Sequence, residues 1–392
     1  MRFRNCTCSR SSLTKESLMH LKKLVRRRIA AFGLVAGLMA TTACSSTTAA
    51  SQQPIDKKDI VLVASVINTT NPYMASMIEG AKALSKKLDV PLEIVDSEGS
   101  SQTEISKIQA ILAQGKKVAL MVNTVASSDA PPIVNAVKAA GGYATVWWNK
   151  PDNFEPWDQG DNFVAFQKHS GVESGQCTAK ALADSIGGKG NIVALAGVLD
   201  STTSQTRVAG LQDALKAYPD VKLLETRPAN WDPQLGLKET QNLLAKYGDK
   251  IDGVWAADDG MIIGAVQAVK DAGRINDVKF ASDGLYPPVV DMMKENMGNG
   301  AIAGETFHRG FMAAAIGLYT SYLAATGEIK PSELPKEKRN SLFKLSCVTP
   351  DNHAEFTKYD GDIDGWMDDL IENGPWDTEP VPLVSGGPEK LP

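Results

Sequence analysis

Histidine is scarce in this chain, and the motifs of common hydrolases are missing. Four histidines occur in 392 residues, and three of them (His169, His308 and His353) lie beyond residue 43. No H-E-x-x-H motif occurs and no G-x-S-x-G motif follows a predicted strand, which argues against metalloproteases and α/β-hydrolases. We expect no enzymatic activity, but a glycosidase stays open as an alternative because acidic residues near strand ends could form its carboxylate pair.

A basic surface is also lacking beyond the first residues. Residues 1–43 contain nine of the 41 Lys and Arg but one of the 46 Asp and Glu, so residues 44–392 carry a net charge of −13. Without an excess of positive charge, the body of the protein has no field that attracts nucleic-acid phosphates or an anionic membrane surface. We therefore expect no nucleic-acid partner.

Long apolar runs are absent except for one near the N-terminus. Residues 29–43 are uncharged and follow a cationic cluster at 22–28, but a run of this length is too short to cross a hydrocarbon core of about 30 Å. A basic region, a short apolar segment and small residues are typical of a bacterial secretory signal, whose expected start is Met19. The signal peptide is predicted over residues 1–43.

The end of this signal predicts how the protein is held outside the cytoplasm. The peptide Thr41-Thr42-Ala43-Cys44 resembles the lipobox of bacterial lipoproteins, which implies that Cys44 is lipidated and that residues 44–57 form a flexible tether. The alternative is cleavage near Ala49-Ala50 and release of a soluble protein. We expect a periplasmic protein whose contact with a membrane is the lipid anchor at Cys44.

The body of the chain alternates short β-branched runs with helical patterns. Strands are predicted at 60–66, 91–96, 117–123 and 143–148 and, after an irregular stretch at 149–163, at 191–197, 221–227, 253–258, 278–283, 301–307 and 341–347. Most of these runs are continuously apolar, as in parallel strands covered on both faces. Ten strands are too many for one doubly wound sheet, so the prediction is an α/β fold with two lobes. Ligands of such sheets bind beyond the carboxyl ends of the strands.

The predicted strand ends carry side chains suited to binding a sugar. Tyr73, Trp148 and Trp231 offer flat apolar faces, on which the C–H face of a sugar stacks. The polar residues at these positions are Asn71, Arg207, Asp258, Asp259, Asp283 and Glu305. Sugar hydroxyls donate hydrogen bonds to carboxylates and accept them from arginine.

Several of these residues lie in short sequence motifs. Asn71-Pro72-Tyr73 precedes an amphipathic helix, and further motif segments begin at Arg207 (R-x-x-G), Trp231 (aromatic-Asp), Gly253 (GVWAADDGMIIGAVQAVKDAG) and Lys279 (KFASDG). Together they resemble the motifs of a known family, the type I periplasmic solute-binding proteins of sugar ABC importers, in their ribose-binding-protein-like branch, whose N-P-F/Y motif is similar to Asn71-Pro72-Tyr73. The motifs follow one another in the family's order over nearly all of residues 58–350.

The resemblance implies two Rossmann-like lobes with parallel sheets, joined by a three-strand hinge that closes on the ligand. The chain would cross between lobes near 148–150, 304–307 and 344–347. The N-terminal lobe would comprise 58–148 and 307–344, and the C-terminal lobe 149–306 and 345–392. The implied partners are a small neutral sugar or polyol and an ABC permease with its ATPase, bound by a monomer that needs no cofactor and no metal.

The resemblance also assigns ligand contacts, which are Tyr73, Arg207, Trp231, Asp258 and Asp283. Asn149 lies where the family often has Asp, and Asp258 where it usually has Asn. Glu305 lies near the family's usual Gln, which makes the cleft more acidic than is typical. Trp147 and Trp148 alternate along a strand, so one faces the cleft and the other packs inside. We interpret His308-Arg309 as a solvated pair and Asp259 as a helix cap.

Two further features remain. Cys6 and Cys8 precede the signal, so Cys177 and Cys347 are the candidates for a disulfide in an oxidising compartment, and the alternative is two free buried thiols. Asp360, Asp362 and Asp364 form a D-x-D-x-D-G pattern typical of calcium loops, although the acid expected at position twelve comes one residue late, at Glu372.

Two other functions are compatible with the predicted fold. A receptor of the same fold for a signalling molecule or nucleoside stays open, because the sequence does not define the ligand. A sugar-sensing transcription regulator would also have this fold, but an export signal stands where its helix-turn-helix would be.

Overall fold

Thirteen strands and twelve helices make up residues 54–294 and 302–386, which the computed structural model describes. The predicted signal segment, Cys44 and most of the predicted tether lie outside these residues. Within the two described ranges, no helix is both long enough and apolar enough to span a membrane.

The first lobe begins with regular β-α alternation. Its elements are β1 (Ile60–Val66), α1 (Pro72–Leu88), β2 (Leu92–Asp96), α2 (Ser101–Leu112), β3 (Lys117–Asn123), α3 (Ala130–Ala139), β4 (Tyr143–Trp147) and β5 (Phe163–His169).

The second lobe repeats the same alternation. Its elements are α4 (Gly171–Ser185), β6 (Gly190–Ala196), α5 (Thr202–Leu215), β7 (Val221–Pro228), α6 (Pro233–Tyr247), β8 (Gly253–Ala256), α7 (Asp259–Asp271), β9 (Lys279–Ala281), α8 (Pro287–Lys294) and β10 (Ile302–Phe307).

The remaining chain contributes to both lobes. Its elements are α9 (Gly310–Thr326), α10 (Lys336–Arg339), β11 (Asn340–Phe343), β12 (Ser346–Val348), α11 (Ala354–Thr357), α12 (Ile363–Asn373) and β13 (Leu383–Gly386). Single 3-10 turns lie at Lys57–Asp59, Ser127–Asp129, Pro156–Asp158, Gly248–Lys250, Pro331–Glu333 and Lys358–Gly361.

Two mostly parallel sheets result. The first has the strand order β13-β11-β5-β4-β3-β1-β2, and the second has the order β12-β10-β9-β8-β6-β7. The pairs β11–β13 and β10–β12 are antiparallel. The α/β class with two lobes is thus confirmed.

Helices cover both faces of the first sheet, which explains why β1, in its interior, is almost entirely apolar. All seven residues of β1 are buried. Val61 and Val63 pack with α2 and α3, while Leu62 and Ala64 belong to the core on the opposite face, where α9 packs. A strand buried on both faces has no polar alternation, as the sequence pattern predicted.

The first helix places its start at the interlobe cleft. The Asn71 side chain accepts a hydrogen bond from Tyr73 N at 2.8 Å, and Pro72 occupies the first helical position. Helix α1 then crosses α9 at very short range, because a Cβ atom on Gly80 would lie 2.2 Å from the Phe311 carbonyl oxygen. Only glycine allows this approach.

The first crossing between lobes differs from the prediction. It follows His169 and not residues 148–150, because β5 pairs with β4 and extends the first sheet. The sequence pattern did not predict β5 as a strand, because Gln167, Lys168 and His169 are polar although they are buried. The other two crossings follow Phe307 and Phe343.

The C-terminal part of the chain also differs from the prediction. The strand predicted at 341–347 is two strands, β11 in the first sheet and β12 in the second. The assignment of 345–392 to the second lobe was wrong for the later residues, because β13 pairs with β11 and α12 packs against α1.

A disulfide joins Cys177 in α4 to Cys347 in β12, with Cα atoms 5.9 Å apart. Both elements belong to the second lobe, although they are separated by 170 residues in sequence. The bond therefore ties the final crossing back to the beginning of that lobe.

Removing this bond should destabilise the protein. We expect Cys177→Ser with Cys347→Ser to lower the free energy of unfolding by about 2–5 kcal/mol, measured by urea denaturation. Peptide mapping without reduction should recover residues 177 and 347 in one linked pair of peptides, with Cys177→Ser alone as the control. Recovery of both cysteines alkylated in the unreduced protein would contradict the pairing.

Candidate functional site

The carboxyl ends of both sheets border one cleft between the lobes, with a cavity volume of about 30 Å³. First-lobe residues that follow β1 and β4 line it, together with the last residue of β3 and the start of α1. The second lobe contributes residues of α5 and residues that follow β7, β8, β9 and β10.

Six of the predicted residues line this cleft. They are Tyr73, Trp148, Asn149, Arg207, Trp231 and Asp258. Asn71, Asp283 and Glu305 lie behind the lining. Sequence analysis missed four polar or aromatic lining residues, which are Asn123, Thr203, Tyr286 and His308.

Arg207 is the charged centre of the cleft. Its guanidinium carbon lies 4.9 Å from the ring centre of Trp148 and 5.9 Å from that of Trp231. Its Nη1 donates to the Ala257 carbonyl at 2.6 Å. A desolvated guanidinium interacts favourably with the faces of indole rings, so this cation also fixes the two tryptophans.

The two lining tryptophans have an unusual backbone. Trp148 has φ 72° and Trp231 has φ 62°, a left-handed conformation that is rare for bulky residues. Trp147, by contrast, is fully buried and stacks on Phe343 at 5.5 Å. One of the adjacent pair therefore faces the cleft and the other packs inside. Strained backbone of this kind clusters at functional sites.

Asp283 lies directly behind Arg207. Its Oδ2 is 2.9 Å from Arg207 Nε and accepts from Ser174 Oγ. Its Oδ1 accepts from Thr306 Oγ1 at 2.6 Å and from His308 Nε2 at 2.5 Å. Burial alone would raise the pKa of Asp283, but the charge of Arg207 and the contacts with His308 and Ser174 hold it below its ordinary value. Asp283 thus orients other cleft groups.

His308 is buried at the cleft, so the interpretation of His308-Arg309 as a solvated pair was wrong. His308 is 1% and Arg309 4% exposed. Burial lowers the pKa of His308, and the Asp283 carboxylate at Nε2 assigns the hydrogen of the neutral ring to that nitrogen. His308 Nδ1 is then a hydrogen-bond acceptor.

Asn71 joins the lobes across one end of the cleft. Its Nδ2 donates to Asp258 Oδ2 at 2.6 Å and to the Trp231 carbonyl at 3.0 Å. Asp258 also caps α7, since its Oδ1 accepts from Met261 N at 3.0 Å. The helix cap is therefore Asp258 and not Asp259. Burial raises the pKa of Asp258 to about 6.

Further hydrogen bonds close the other end of the cleft. Ser201 Oγ donates to Asn149 Oδ1 at 2.8 Å, and Thr203 Oγ1 donates to the Trp148 carbonyl at 2.9 Å. A third hydrogen bond between the lobes is donated by Ser128 Oγ to Asp200 Oδ2 at 2.5 Å. The structure is therefore a closed form.

Glu305 lies in a buried acidic pair and not in the cleft lining. Ser282 Oγ lies 2.6 Å from an oxygen of the Glu305 carboxyl group and 2.6 Å from an oxygen of the Asp259 carboxyl group. Burial, together with the charge of Asp259, raises the pKa of Glu305 well above its ordinary value. Glu305 is then the neutral member of the pair.

Arg207 Nε makes no hydrogen bond but lies in the ion pair with Asp283. Three other polar atoms of the lining have no hydrogen-bond partner within residues 54–294 and 302–386. They are Asn123 Oδ1, Trp231 Nε1 and His308 Nδ1. An unpaired buried polar group costs about 1–3 kcal/mol. The set combines two acceptors with one donor, so it matches a ligand whose groups both donate and accept.

The D-x-D-x-D-G stretch does not converge on a metal site. Asp360 forms an ion pair with Arg309 at 2.5 Å, and Asp362 caps α12 through Gly365 N. In the described parts of the chain, no group of three or more His, Cys, Asp or Glu is arranged to hold a metal ion. The calcium interpretation thus has no support in the geometry.

Comparisons with known proteins agree with this arrangement. The family model described as "Periplasmic binding protein domain" matches residues 62–321. A crystal structure described as a twin-arginine translocation pathway signal protein from Burkholderia phytofirmans is 31% identical, with a TM-score of 0.77, and the match covers 84% of this chain and 98% of that one. The chain therefore belongs to the periplasmic binding protein family, and the resemblance found in the sequence is confirmed.

Two curated relatives are also similar. A xylitol-binding protein from Mycolicibacterium smegmatis is 26% identical over 329 residues, covering 83% of this chain and 85% of that protein. A ribose import binding protein from Salmonella typhimurium is 29% identical over 250 residues, covering 64% of this chain and 80% of that protein.

Glu104 holds the segment that carries Asn123. Its Oε2 accepts from Val125 N at 3.2 Å, and its Oε1 accepts from Ser65 Oγ at 2.8 Å. Burial raises the pKa of Glu104 to about 8. Because this pKa is raised on folding, the protonated group stabilises the fold at low pH, and the contribution is lost as pH rises toward and through 8.

The variant Glu104→Gln should therefore alter the pH dependence of stability. Between pH 5 and 8, the wild-type free energy of unfolding should fall by about 3 kcal/mol more than that of Glu104→Gln. Urea denaturation at several pH values measures this difference, with the exposed Glu337→Gln as the control. Parallel curves for wild type and Glu104→Gln would show that Glu104 does not titrate in this range.

Proposed function

We propose that this protein captures a small neutral sugar or polyol in its interlobe cleft and delivers it, chemically unchanged, to an ABC permease and its ATPase. The observation that carries the proposal is the combination of indole faces with three unpaired polar atoms, Asn123 Oδ1, Trp231 Nε1 and His308 Nδ1. Each sugar hydroxyl both donates and accepts hydrogen bonds, and the C–H face of a sugar packs on indole.

The charges of the cleft favour a neutral ligand. Asp283 balances the positive charge of Arg207, and Asp258 adds negative charge once pH exceeds its pKa of about 6. A sugar acid or phosphate would therefore meet repulsion without gaining an unpaired cation, whereas a neutral polyol pays no such penalty.

The relatives support this ligand class and the transport role, since they are described as binding xylitol and importing ribose. Membership of a periplasmic family agrees with the export signal inferred from residues 1–43, so we propose a location outside the cytoplasm. Lipid anchoring through Cys44 is part of the proposal and rests on the sequence alone.

Ligand binding should appear as thermal stabilisation. In a panel of pentoses, hexoses, tetritols and inositols, at least one neutral member should raise the melting temperature, because binding adds RT ln(1 + [L]/Kd) to the folded state. Sugar phosphates should have no effect at equal concentration. The proposal is wrong if no neutral member stabilises the protein, and tight binding of a phosphate would refute the charge argument.

The variant Trp231→Phe tests the assigned contact. It keeps an aromatic face but removes the Nε1 donor, so Kd for the stabilising ligand should rise about tenfold. Calorimetry measures this change, with Trp157→Phe, outside the cleft, as the control. An unchanged Kd in Trp231→Phe would mean that this nitrogen does not bind the ligand.

Closure should depend on the ligand, because a ligand that bridges both lobes selects the closed form. Solution scattering should give a larger radius of gyration for the ligand-free protein than for the protein saturated with ligand. Equal values at saturation would exclude the hinge mechanism.

A further inference from the structure

The hinge between the lobes consists of three very short crossings. In the first, the single residue Ser170 separates β5 from α4. In the second, residues 308–309 separate β10 from α9, and in the third, residues 344–345 separate β11 from β12. A hinge of this kind absorbs the rotation of the lobes in a few backbone angles, so the contacts among the crossings determine whether they bend together.

Strand pairing joins the third crossing to each of the others. In the first sheet β11 pairs with β5, and Phe343 is opposite His169. In the second sheet β12 pairs with β10, and Ser346 is opposite Phe307. In the described part of the chain, no strand pairing joins the first crossing to the second, because β5 and β10 belong to different sheets. A direct link between these two crossings therefore comes from contacts outside the sheets.

Two histidines supply this link. His169 ends β5 at the first crossing, and His308 lies in the second crossing. Their rings are stacked, with the ring centres 5.5 Å apart and an interplanar angle of 25°, and both side chains are buried. Burial lowers the pKa of both rings, that of His169 to about 3, so two neutral rings stack without charge repulsion.

His169 also contacts the third crossing. Its Nδ1 lies 2.9 Å from the Lys344 carbonyl oxygen. Since a carbonyl oxygen can only accept, the hydrogen of the neutral ring lies on Nδ1, which donates this bond. One side chain thus ends the strand before the first crossing, stacks on a ring of the second and donates to the backbone of the third.

The same stack holds a group that faces the ligand. His308 lines the cleft, whereas His169 lies behind it. Asp283 accepts from His308 Nε2 at 2.5 Å, and the rings of His308 and Tyr73 are in edge contact, with centres 5.0 Å apart. Together with the His169 ring, these contacts fix the imidazole whose Nδ1 is free to accept.

We infer that His169 couples the three crossings, so that the lobes turn as one hinge, and that it positions His308 to accept from a ligand hydroxyl. The second part rests on the proposed function, whereas the first part concerns the protein without ligand. When His169 is removed, each crossing bends separately and the lobes sample more orientations. A ligand that selects one closed orientation then binds more weakly, because its apparent affinity falls with the populated fraction of that form.

Hydrogen exchange of the ligand-free full protein tests the coupling. In His169→Ala, the amides of all three crossings should exchange at least about threefold faster than in the wild type, because losing the shared contacts eases local opening. The matched control is Phe154→Ala, which removes a ring that stacks on Phe163 at the opposite end of β5. This control should leave exchange at the three crossings unchanged.

Two conservative variants separate the contacts of His169. His169→Asn keeps an N–H donor near the position of Nδ1 but removes the ring, so exchange should stay slow at the third crossing and become faster at the second. His169→Phe keeps a ring but removes the donor, so exchange should become faster at the third crossing and stay slow at the second. A general loss of packing would give the same pattern in both variants.

Calorimetry with xylitol and ribose tests the positioning of His308. The Kd of each probe that binds the wild type should rise about three- to tenfold in His169→Ala, as expected for the loss of one buried hydrogen bond and a ring contact. The control Phe154→Ala should keep the wild-type Kd, since its ring lies outside the cleft.

The possible failures are distinguishable. Faster exchange confined to the first crossing in His169→Ala, or one shared pattern in His169→Asn and His169→Phe, overturns the coupling. An unchanged Kd in His169→Ala overturns the positioning of His308 and leaves the proposed function intact. A wild type that binds no neutral sugar or polyol overturns the proposed function together with the positioning of His308, while the exchange pattern decides the coupling independently.

Discussion

The buried ion pair between Arg207 and Asp283 is the interaction on which the cleft depends. Both side chains are almost fully buried, so each would be costly without the other. Asp283 accepts hydrogen bonds from Ser174 of α4 and Thr306 of β10, while Arg207 contacts the indole rings of Trp148 and Trp231. A single charge pair thus joins the scaffold of the second lobe to the surface that faces the ligand.

The charge and hydrogen-bonding character of the other cleft groups follow from this ion pair. With the charges compensated internally, the groups left for a ligand are neutral acceptors, an indole donor and aromatic faces. The same pair fixes the proton of His308 on Nε2, which makes its other nitrogen an acceptor. The lining can therefore recognise a polyol without exposing a free charge to it.

The α/β class, the two lobes and six lining residues followed from the sequence because each rests on local patterns. Apolar runs marked the strands that are buried on both faces, and Asn71-Pro72 marked the start of α1. The predictions that failed concern residues whose positions depend on contacts between parts of the chain that are distant in sequence. Glu305 and His308 lie three residues apart, and only the packing of β10 determines which of them reaches the cleft. No sequence motif indicated that Tyr286 lines the cleft, although Gly284, which leaves room for its ring, lies in one of the family motifs.

The interleaving of the lobes has a consequence for folding. Strand β5 pairs with β11, so that His169 meets Phe343 across the sheet, and β13 is added only from the last described residues. Neither sheet can be completed from one continuous half of the chain. Such high contact order slows folding, because long loops must close before the pairing that stabilises them is gained. The first sheet therefore cannot finish folding until nearly all of the chain is available.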